Sequence, residues 1–367
     1  TFTLMTGVSK INRWIYWLAL SILPFPMFGQ EAPKYSNEFM SIGVGARALG
    51  MSNTQISATN DVTAGYWNPA GLLDIKNKHQ FELMHASLFA GIANFDYAGY
   101  ATPIDSTTHL GFSIIRFAVD DIPDTRFLYD VNGALNYNNI NFFSAADYAF
   151  IFSFAKRVNF IKGLKLGANF KVIHRTVGDF AKAWGFGLDA GAQLTVNQWR
   201  FGLMFRDITG TFNSWSHNQE LVRDIYNQTG NEIPDNTLEI TLPRLILGVS
   251  RNWQLSSRFS LLAALDLDFT FDGKRNVPIS SDAVSIDPHA GIEIGYRNVV
   301  FVRGGIGNIQ DIKDFDGSTN TTAQANFGIG FLIKQVQIDY ALTNMGDQSD
   351  ALYSHIFSIR ASIEKKK

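Results

Sequence analysis

The chain has 367 residues, a formal net charge of −2 and no cysteine. It contains 30 phenylalanines and 31 glycines, and only 17% of its residues are charged, which is below the usual share for soluble domains. The near-neutral charge offers no basic surface for nucleic acid, and the lack of cysteine excludes disulfides, thiolate metal sites and a lipoprotein anchor.

Residues 1–30 have the pattern of a secretory signal peptide. Lys10 and Arg13 precede or begin the apolar stretch RWIYWLALSILPFPMF, and Gly29 and Gln30 follow it. This stretch is shorter than the roughly 20 apolar residues that cross a bilayer, and prolines interrupt it. We expect an exported chain without a later hydrophobic helix to be secreted, periplasmic or inserted in a membrane as strands.

Residues 31–78 lie before the first predicted strand and are rich in small residues. Gly43, Gly45 and Gly50 permit close backbone approach and positive φ, and Asn68 before proline favours a turn. The interior of a wide barrel has room for such a segment. We therefore predict that residues 31–78 form a plug of small residues, in which one arginine meets aspartates of the lumen.

From His79 onward apolar and polar residues alternate with a period of two, which indicates strands with two different faces. In LLAALDLDFTFD, for example, Leu265 and Leu267 share one face, and Asp266 and Asp268 share the other. The predicted strands lie near 79–89, 93–102, 107–117, 146–157, 164–174, 185–195, 199–206, 244–251, 259–271, 288–296, 299–306, 322–333, 335–342 and 354–363.

The links between these predicted strands differ at the two ends. Tight turns follow the even-numbered strands, and mostly long segments, including 118–145 and 207–243, follow the odd-numbered ones. This asymmetry is typical of outer-membrane barrels, and a closed sheet leaves no backbone amide unpaired in hydrocarbon. The predicted fold is all-β: a transmembrane antiparallel β-barrel of about 14 strands over residues 79–367. It would lie in the outer membrane, in contact with lipid, with an N-terminal plug.

The two longest predicted extracellular loops carry apolar side chains. Loops of this length are usually functional or disordered, and segment 207–243 also contains a short helical pattern. Packing against the barrel rim and binding of a protein partner both stay open as explanations. The candidate partner-binding residues are Phe127, Tyr129, Trp215, Leu221 and Tyr226.

No pattern predicts a catalytic residue, a cofactor or a metal. The histidines lack metal-ligand spacing, GVGARALG lacks the dinucleotide-binding spacing, and G-x-S-x-G does not occur. Residues 311–320 offer oxygen ligands for calcium at Asp314, Asp316 and Asn320, but the glycine is misplaced for an EF-hand. We therefore expect an ordinary polar loop there.

Asp266 and Asp268 are the one carboxylate pair that could suggest acid–base chemistry. Inside a barrel we expect them to be lumen charges that face basic side chains. The basic candidates are Lys165, Lys171, Arg200 and Arg206.

The stretch SIGVGARALGMSNTQISATNDVTAGYWNPAGLL resembles the N-terminal signature of the PorV/PorQ family of Bacteroidota, itself similar to the FadL-like group of outer-membrane barrels. Members that work with the type IX translocon often have lysine where this chain has Gly71. The matching plug residues are Gly45, Arg47, Gly50, Met51, Asp61, Trp67, Asn68, Pro69, Ala70 and Gly71.

The resemblance implies a barrel that is not an enzyme and acts in type IX secretion, taking the C-terminal signal domain of cargo proteins from the translocon to the surface attachment machinery. We therefore predict a component of a protein-export machine that binds cargo, a translocon or an assembly complex through its extracellular rim and loops. Two alternatives stay open: a FadL-like channel for hydrophobic small molecules, and a scaffold subunit of another outer-membrane assembly.

Overall fold

The structure is a computed structural model and describes residues 36–130, 132–230, 232–313, 318–343 and 354–364. The predicted signal peptide lies outside these residues. In the described part of the chain, 17 strands form one antiparallel sheet. The strands are β1 (His79–Leu88), β2 (Ala93–Pro103), β3 (Thr108–Asp124), β4 (Asn141–Arg157), β5 (Leu164–Val177), β6 (Ala181–Val196), β7 (Trp199–Arg206), β8 (Thr211–His217), β9 (Leu238–Thr241), β10 (Arg244–Gln254), β11 (Phe259–Thr270), β12 (Ile279–Ser280), β13 (Ser285–Tyr296), β14 (Val300–Lys313), β15 (Thr319–Ile333), β16 (Val336–Thr343) and β17 (Ser354–Ile363).

Pairing between β1 and β17 closes the sheet into a barrel. Within the described residues, 14 strands form the closed wall, while β8, β9 and β12 are short additions at one end. Closure pairs the backbone of every wall strand on both sides, which is the condition for crossing hydrocarbon as strands. The predicted 14-stranded antiparallel barrel is confirmed.

Three helices and four short 3-10 turns accompany the strands in the described ranges. We name the helices α1 (Ala46–Leu49), α2 (Ala64–Trp67) and α3 (Gln219–Thr229), and α3 confirms the helix predicted within 207–243. No helix in the described part of the chain is long and apolar enough to span a membrane. The 3-10 turns are Glu38–Ser41, Pro69–Asp74, Phe89–Gly91 and Tyr137–Asn139.

Several strands extend further toward the long loops than the sequence predicted. β3 and β4 remain paired out to Asp124 and Asn141, so the predicted loop 118–145 is reduced to 125–140. A register shift between Val119 and Ile122 interrupts the period of two, so the alternation of apolar and polar residues does not predict this extension. The predicted loop 207–243 likewise contains two paired strands, β8 and β9.

The two faces of the wall differ in polarity in the way the alternation predicted. On β11, Leu265 is 42% exposed on the outer face, whereas Asp266 is 2% exposed and faces the lumen. Leu83 and Phe152 are similarly exposed on the outer faces of β1 and β4. An apolar outer surface on a closed barrel is suited to lipid, and the longer connections define its extracellular end.

Residues 36–75 lie inside the barrel. They contact strands on all sides of the closed wall, which is possible only from within the lumen. The wall residues that hydrogen-bond to this N-terminal segment include Gln80 on β1, Ser153 on β4, Asp266 on β11, Asn326 on β15 and Ser358 on β17.

Candidate functional site

Asn68 is a central attachment point of the N-terminal segment. Its side chain is fully buried, and its Nδ2 atom donates at 3.0 Å to the carbonyl oxygens of Ile56 and Ala192. Its Oδ1 atom accepts from the backbone amide of Ala70 at 3.2 Å, at the start of the 3-10 turn. One amide side chain therefore joins two parts of the segment to β6.

Glycines on the lumen face allow the segment to approach the wall backbone. A Cβ atom on Gly167 would lie 2.4 Å from the backbone nitrogen of Ala70, and one on Gly305 would lie 2.4 Å from the carbonyl carbon of Met51. Because these neighbours are backbone atoms, no side-chain movement could make room for a larger residue. Small residues on both partners thus set the depth of the segment in the barrel.

A network of buried ion pairs connects the segment to β13, β14 and β17. Arg47 Nε lies 2.9 Å from Glu293 Oε2, and Arg303 Nε lies 2.6 Å from the same oxygen. Asp61 lies 3.7 Å from Arg47 Nη1 and also contacts Arg360 of β17. The arginine predicted to meet lumen aspartates therefore binds a glutamate of the wall, Glu293, and lies near one aspartate, Asp61, of its own segment.

The remaining plug residues of the sequence motif pack within the same segment. Trp67 Nε1 donates to the carbonyl of Val44 at 3.0 Å, and Gly45 has a φ of 86° at the start of α1. A Cβ atom on Gly50 would lie 3.0 Å from the Cα atom of Gly328 on β15. Met51, Pro69, Ala70 and Gly71 are all buried.

The residues predicted to bind a partner fall into two groups. Phe127 and Tyr129 are exposed, at 56% and 64%, in segment 125–140. The other three are held or partly covered by neighbouring residues: Trp215 Nε1 donates to Glu239 of β9 at 2.7 Å, the carbonyl of Leu221 accepts from Arg126 Nη1 of segment 125–140 at 2.8 Å, and Tyr226 is half-buried.

A cavity of about 570 Å³ lies in the extracellular half of the lumen. The N-terminal segment forms its floor, and the upper parts of β10, β11, β13, β14 and β15 form its sides. Its volume is in the range typical of small-molecule sites. Its apolar lining includes Ile42, Leu49, Ile56, Trp67, Leu88, Phe89, Ile246 and Val277.

Acidic side chains also line this cavity. In the pairing of β11 with β13, Asp266 stands opposite His289 and Asp268 stands opposite Asp287. Asp266 Oδ2 accepts from the backbone amide of Ile56 at 2.9 Å. The Oδ1 atoms of Asp266, Asp268 and Asp287 are buried and have no hydrogen-bond partner among the described residues.

The expected basic neighbours of Asp266 and Asp268 fall into two groups: Arg206 lines the same cavity and interacts electrostatically with Asp268, whereas the two lysines are paired with other carboxylates. Lys165 lies 2.6 Å from Asp74, and Lys171 lies 2.7 Å from Asp189. Both lysines are on β5, which β6, β7 and β10 separate from β11 in the sheet. Of the other candidates, Arg200 is near the periplasmic end of β7, and the guanidinium of Arg206 lies over the Tyr66 ring at 4.5 Å.

Sequence reasoning missed the cavity and its β13 residues. Asp287 and His289 are two positions apart, so they share a face of their strand in the same way as Asp266 and Asp268. Applying the alternation rule to that stretch could have placed both side chains in the lumen. The strand pattern also does not indicate that the N-terminal segment forms the floor of the cavity.

Near the extracellular mouth, arginines are paired with carboxylates. Arg244 Nη1 donates to Ser41 at 2.8 Å, and its guanidinium contacts Glu38. Arg275 Nε donates to Asp272 at 2.9 Å, beyond the end of β11. Burial alone would raise the pKa of Asp272, but the hydrogen bond and the charge of Arg275 outweigh it and hold that pKa below its ordinary value.

The described ranges contain no group of three or more histidine, aspartate or glutamate side chains that could hold a metal ion. Asp314 and Asp316 of the considered calcium loop lie outside the described residues.

The comparisons with known proteins place the fold. No family profile and no curated protein matches the chain. Several solved structures match the chain. The Pseudomonas putida toluene transporter TodX has a TM-score of 0.55 at 13% identity, covering 88% of this chain and 99% of that one. The CymD monoaromatic hydrocarbon channel has a TM-score of 0.54 at 13% identity, covering 88% and 98%. The Ralstonia pickettii toluene transporter TbuX has a TM-score of 0.52 at 16% identity, covering 88% and 99%.

The protein is an outer-membrane β-barrel with a FadL-like fold. At identities of 13 to 16% these neighbours show the fold alone. The FadL-like part of the resemblance drawn from the sequence is thus supported at the level of architecture. Membership of the PorV/PorQ family and a role in type IX secretion stay predictions.

Proposed function

We propose that this barrel is a channel that takes small molecules from the outside of the cell into its lumen and across the outer membrane, and that it is not an enzyme. The cavity of about 570 Å³ above the N-terminal segment carries the proposal. It has the size of a small-molecule site, and its lining combines apolar side chains with a larger number of polar and charged ones. Solved barrels with the same fold are a toluene transporter and a monoaromatic hydrocarbon channel, which supports the same class of function.

The N-terminal segment would control passage. Residues 36–75 reach strands on all sides of the lumen and form the cavity floor, so a molecule bound in the cavity has to displace part of the segment to continue. The segment is held by separate contacts at Asn68 and Arg47, which allows one part to move while another stays attached.

Reconstitution of the full chain into liposomes tests the proposal. We expect uptake of small aromatic solutes to exceed that of protein-free liposomes, and we expect Val277→Trp to reduce it because Val277 lines the cavity. Val299→Trp is the matched control, since Val299 is 46% exposed in the turn between β13 and β14 at the other end of the barrel. Equal uptake by loaded and protein-free liposomes for every solute would refute the channel.

A second candidate is the protein-export role that the sequence motif implies. It is supported by the similarity of residues 41–73 to the PorV/PorQ signature and by the exposed Phe127 and Tyr129 in an extracellular loop. In this role the exposed aromatic side chains would contact cargo or a translocon, and the segment that fills the lumen would keep the barrel closed.

Gene deletion tests the export role. We expect proteins with the C-terminal sorting signal to be retained in the periplasm after deletion, and we expect Phe127→Ala with Tyr129→Ala to reproduce part of that defect. The matched control is Phe160→Ala, because Phe160 is 75% exposed in a periplasmic turn. Normal surface delivery in the deletion strain would exclude the role.

A further inference from the structure

One arginine lies on the lipid-facing surface of the barrel without an acidic partner in the described part of the chain. Arg251 of β10 is paired with Trp199 of β7, which is 41% exposed on the outer face, so the two side chains share that face. The Cζ atom of Arg251 lies 5.0 Å from the ring centroids of both Trp199 and Trp253. Its Nη2 atom donates at 3.1 Å to Gln198 Oε1, and no carboxylate of the described residues pairs with it.

The contact with Gln198 places Arg251 at the periplasmic boundary of the membrane. Gln198 lies in the two-residue turn between β6 and β7, at the end of the barrel opposite the long loops. A cation on the lipid face of a barrel is tolerated near such a boundary, where tryptophans are also common and lipid head groups are within reach. A lipid phosphate at this depth would supply the counter-charge of Arg251.

A groove of about 410 Å³ lies on the outer face beside Arg251. Phe201 and Val249, the next outward-facing residues of β7 and β10 toward the middle of the membrane, line the near end of the groove. The rest of its lining is also apolar or glycine: Leu164, Ala192, Leu194, Gly202, Leu203, Leu247, Gly248, Leu265 and Leu267. An acyl chain fits this lining, and filling the groove gains dispersion contacts that an empty one lacks.

The turns at the periplasmic end are mostly basic. Four of the six turns that join wall strands there contain a basic residue, namely Lys162, Arg258, Arg297 and Lys334, and one contains an acidic residue, Asp105. A zwitterionic head group would bring an ammonium ion to this positively charged surface, whereas an anionic head group brings only negative charge. The charge of the surface therefore favours an anionic phospholipid.

We infer that the outer face of the barrel binds an anionic phospholipid, with its phosphate at the guanidinium of Arg251 and an acyl chain in the groove. A guanidinium offers several N–H donors in one plane, which suits the oxygens of a phosphate. The rings of Trp199 and Trp253 limit the positions of the guanidinium and keep it at head-group depth. Because this site lies outside the lumen, the inference does not depend on the proposed channel function.

Lipid titrations of the full chain in detergent micelles, followed by native mass spectrometry, test the inference. The probes are phosphatidylglycerol and phosphatidylethanolamine with the same acyl chains, and glycerol phosphate, which has no chains. We expect phosphatidylglycerol to bind about tenfold more tightly than phosphatidylethanolamine, the scale of one charge-assisted contact, and we expect equimolar glycerol phosphate not to displace it. Equal affinity of the two lipids, or displacement by glycerol phosphate, would overturn the inference.

An arginine substitution assigns the selectivity to Arg251. We expect Arg251→Gln to weaken phosphatidylglycerol binding about tenfold and to leave phosphatidylethanolamine binding unchanged. Arg297→Gln is the matched control, because Arg297 is exposed at the same end of the barrel and lies 5.4 Å from the Tyr296 ring, but it does not line the groove. Unchanged phosphatidylglycerol affinity in Arg251→Gln would overturn the inference.

A second pair of variants tests the groove without removing a charge. Ala192 lines the groove and faces the lipid beside Leu203, so we expect Ala192→Phe to fill the groove and weaken binding of both lipids at least about fivefold. Ala168→Phe is the matched control, since Ala168 is exposed on the outer face of β5 and lies outside the groove. Unchanged lipid affinity in Ala192→Phe would contradict the placement of an acyl chain there.

Discussion

Arg47 of the N-terminal segment and Glu293 of β13 form a charge pair inside the barrel, with Nε 2.9 Å from Oε2 and a second hydrogen bond of 3.1 Å from Nη2 to Oε1. The two side chains are 12% and 11% exposed, so water screens their attraction only weakly. Glu293 is shared with Arg303, which places one acidic side chain between a segment residue and a wall residue. This pair ties the position of α1 to the register of β13.

Arg47→Met should destabilise the barrel, because it leaves Glu293 and Asp61 with one fewer buried cation. Removing one partner of a buried pair costs about 3 kcal/mol. Urea unfolding in detergent micelles measures the change. Arg258→Met is the control, since Arg258 is exposed in a periplasmic turn, and we expect it to change the free energy of unfolding by less than about 0.5 kcal/mol. Equal midpoints for the two variants would contradict the role assigned to Arg47.

Asn68→Asp should be more harmful than Asn68→Ala, although aspartate is nearly the same size. The aspartate would place a carboxylate oxygen against the carbonyl oxygens of Ile56 and Ala192, which now accept from Nδ2 at 3.0 Å. One carboxylate oxygen would keep the amide of Ala70 as its donor, but the other would be buried against carbonyl acceptors, which costs more than the roughly 1 to 3 kcal/mol of a lost hydrogen bond. Thermal unfolding of the two variants measures the order, and a more stable aspartate variant would show that the amide does not donate as described.

Gly305→Ala should destabilise the contact between the N-terminal segment and the wall, whereas the neighbouring substitution Gly304→Ala should leave it unchanged. At Gly305 the new Cβ atom would lie 2.4 Å from a backbone atom of Met51, whereas at Gly304 the nearest atoms are 4.0 Å away. Overpacking of this kind costs about 1 to 3 kcal/mol, and we expect no measurable cost at Gly304. Protease sensitivity of the N-terminal segment reports its displacement, and equal cleavage of the two variants would exclude a close contact at Met51.

The barrel wall could be predicted from the sequence because its signal repeats. Lipid on one side and a polar lumen on the other force a period of two, and the pattern on β11 around Leu265 and Asp266 shows it clearly. The prediction fails where a strand no longer has lipid on one face and the lumen on the other. Beyond the membrane both faces of a strand meet water or loops, so the alternation does not predict the extensions of β3 and β4 or the short strands β8 and β9.

The candidate site could be predicted only in part. The motif around Asn68 was found, but its role depends on backbone carbonyls of Ile56 and of Ala192, more than 100 residues away along the chain. Local pattern contains no information on such contacts. For the same reason the alternation predicts that Asp268 faces the lumen, but not that Asp287 stands opposite it on β13.

Asp272 gives the extracellular mouth a defined dependence on pH. Its pKa is lowered by Arg275, so the pair stabilises the folded barrel above the ordinary value of 3.8 and loses this contribution as pH falls through the lower folded value. We expect Asp272→Asn to lower the thermal midpoint by a constant amount between roughly pH 5 and pH 8 and by progressively less at more acidic pH. A difference that grows on acidification would contradict the assignment.

Cross-linking the N-terminal segment to the wall tests whether passage requires the segment to move. A Cβ atom on Gly65 of α2 would lie 3.8 Å from the Cβ atom of Ser153 on β4, the separation found in ordinary disulfides. The chain has no cysteine, so Gly65→Cys with Ser153→Cys forms a single defined bridge. We expect the oxidised variant to bind solutes in the cavity but not to pass them into liposomes.

Reduction of the bridge is the internal control for this variant, because the same polypeptide is compared in both states. We expect a thiol reductant to restore uptake without a change in binding, since Gly65 and Ser153 do not line the cavity. The single variant Ser153→Cys should transport equally with and without reductant. If the oxidised double variant passes solutes as fast as the same variant after treatment with reductant, the route does not involve displacement of α2. Passage then occurs around a segment that stays attached to β4.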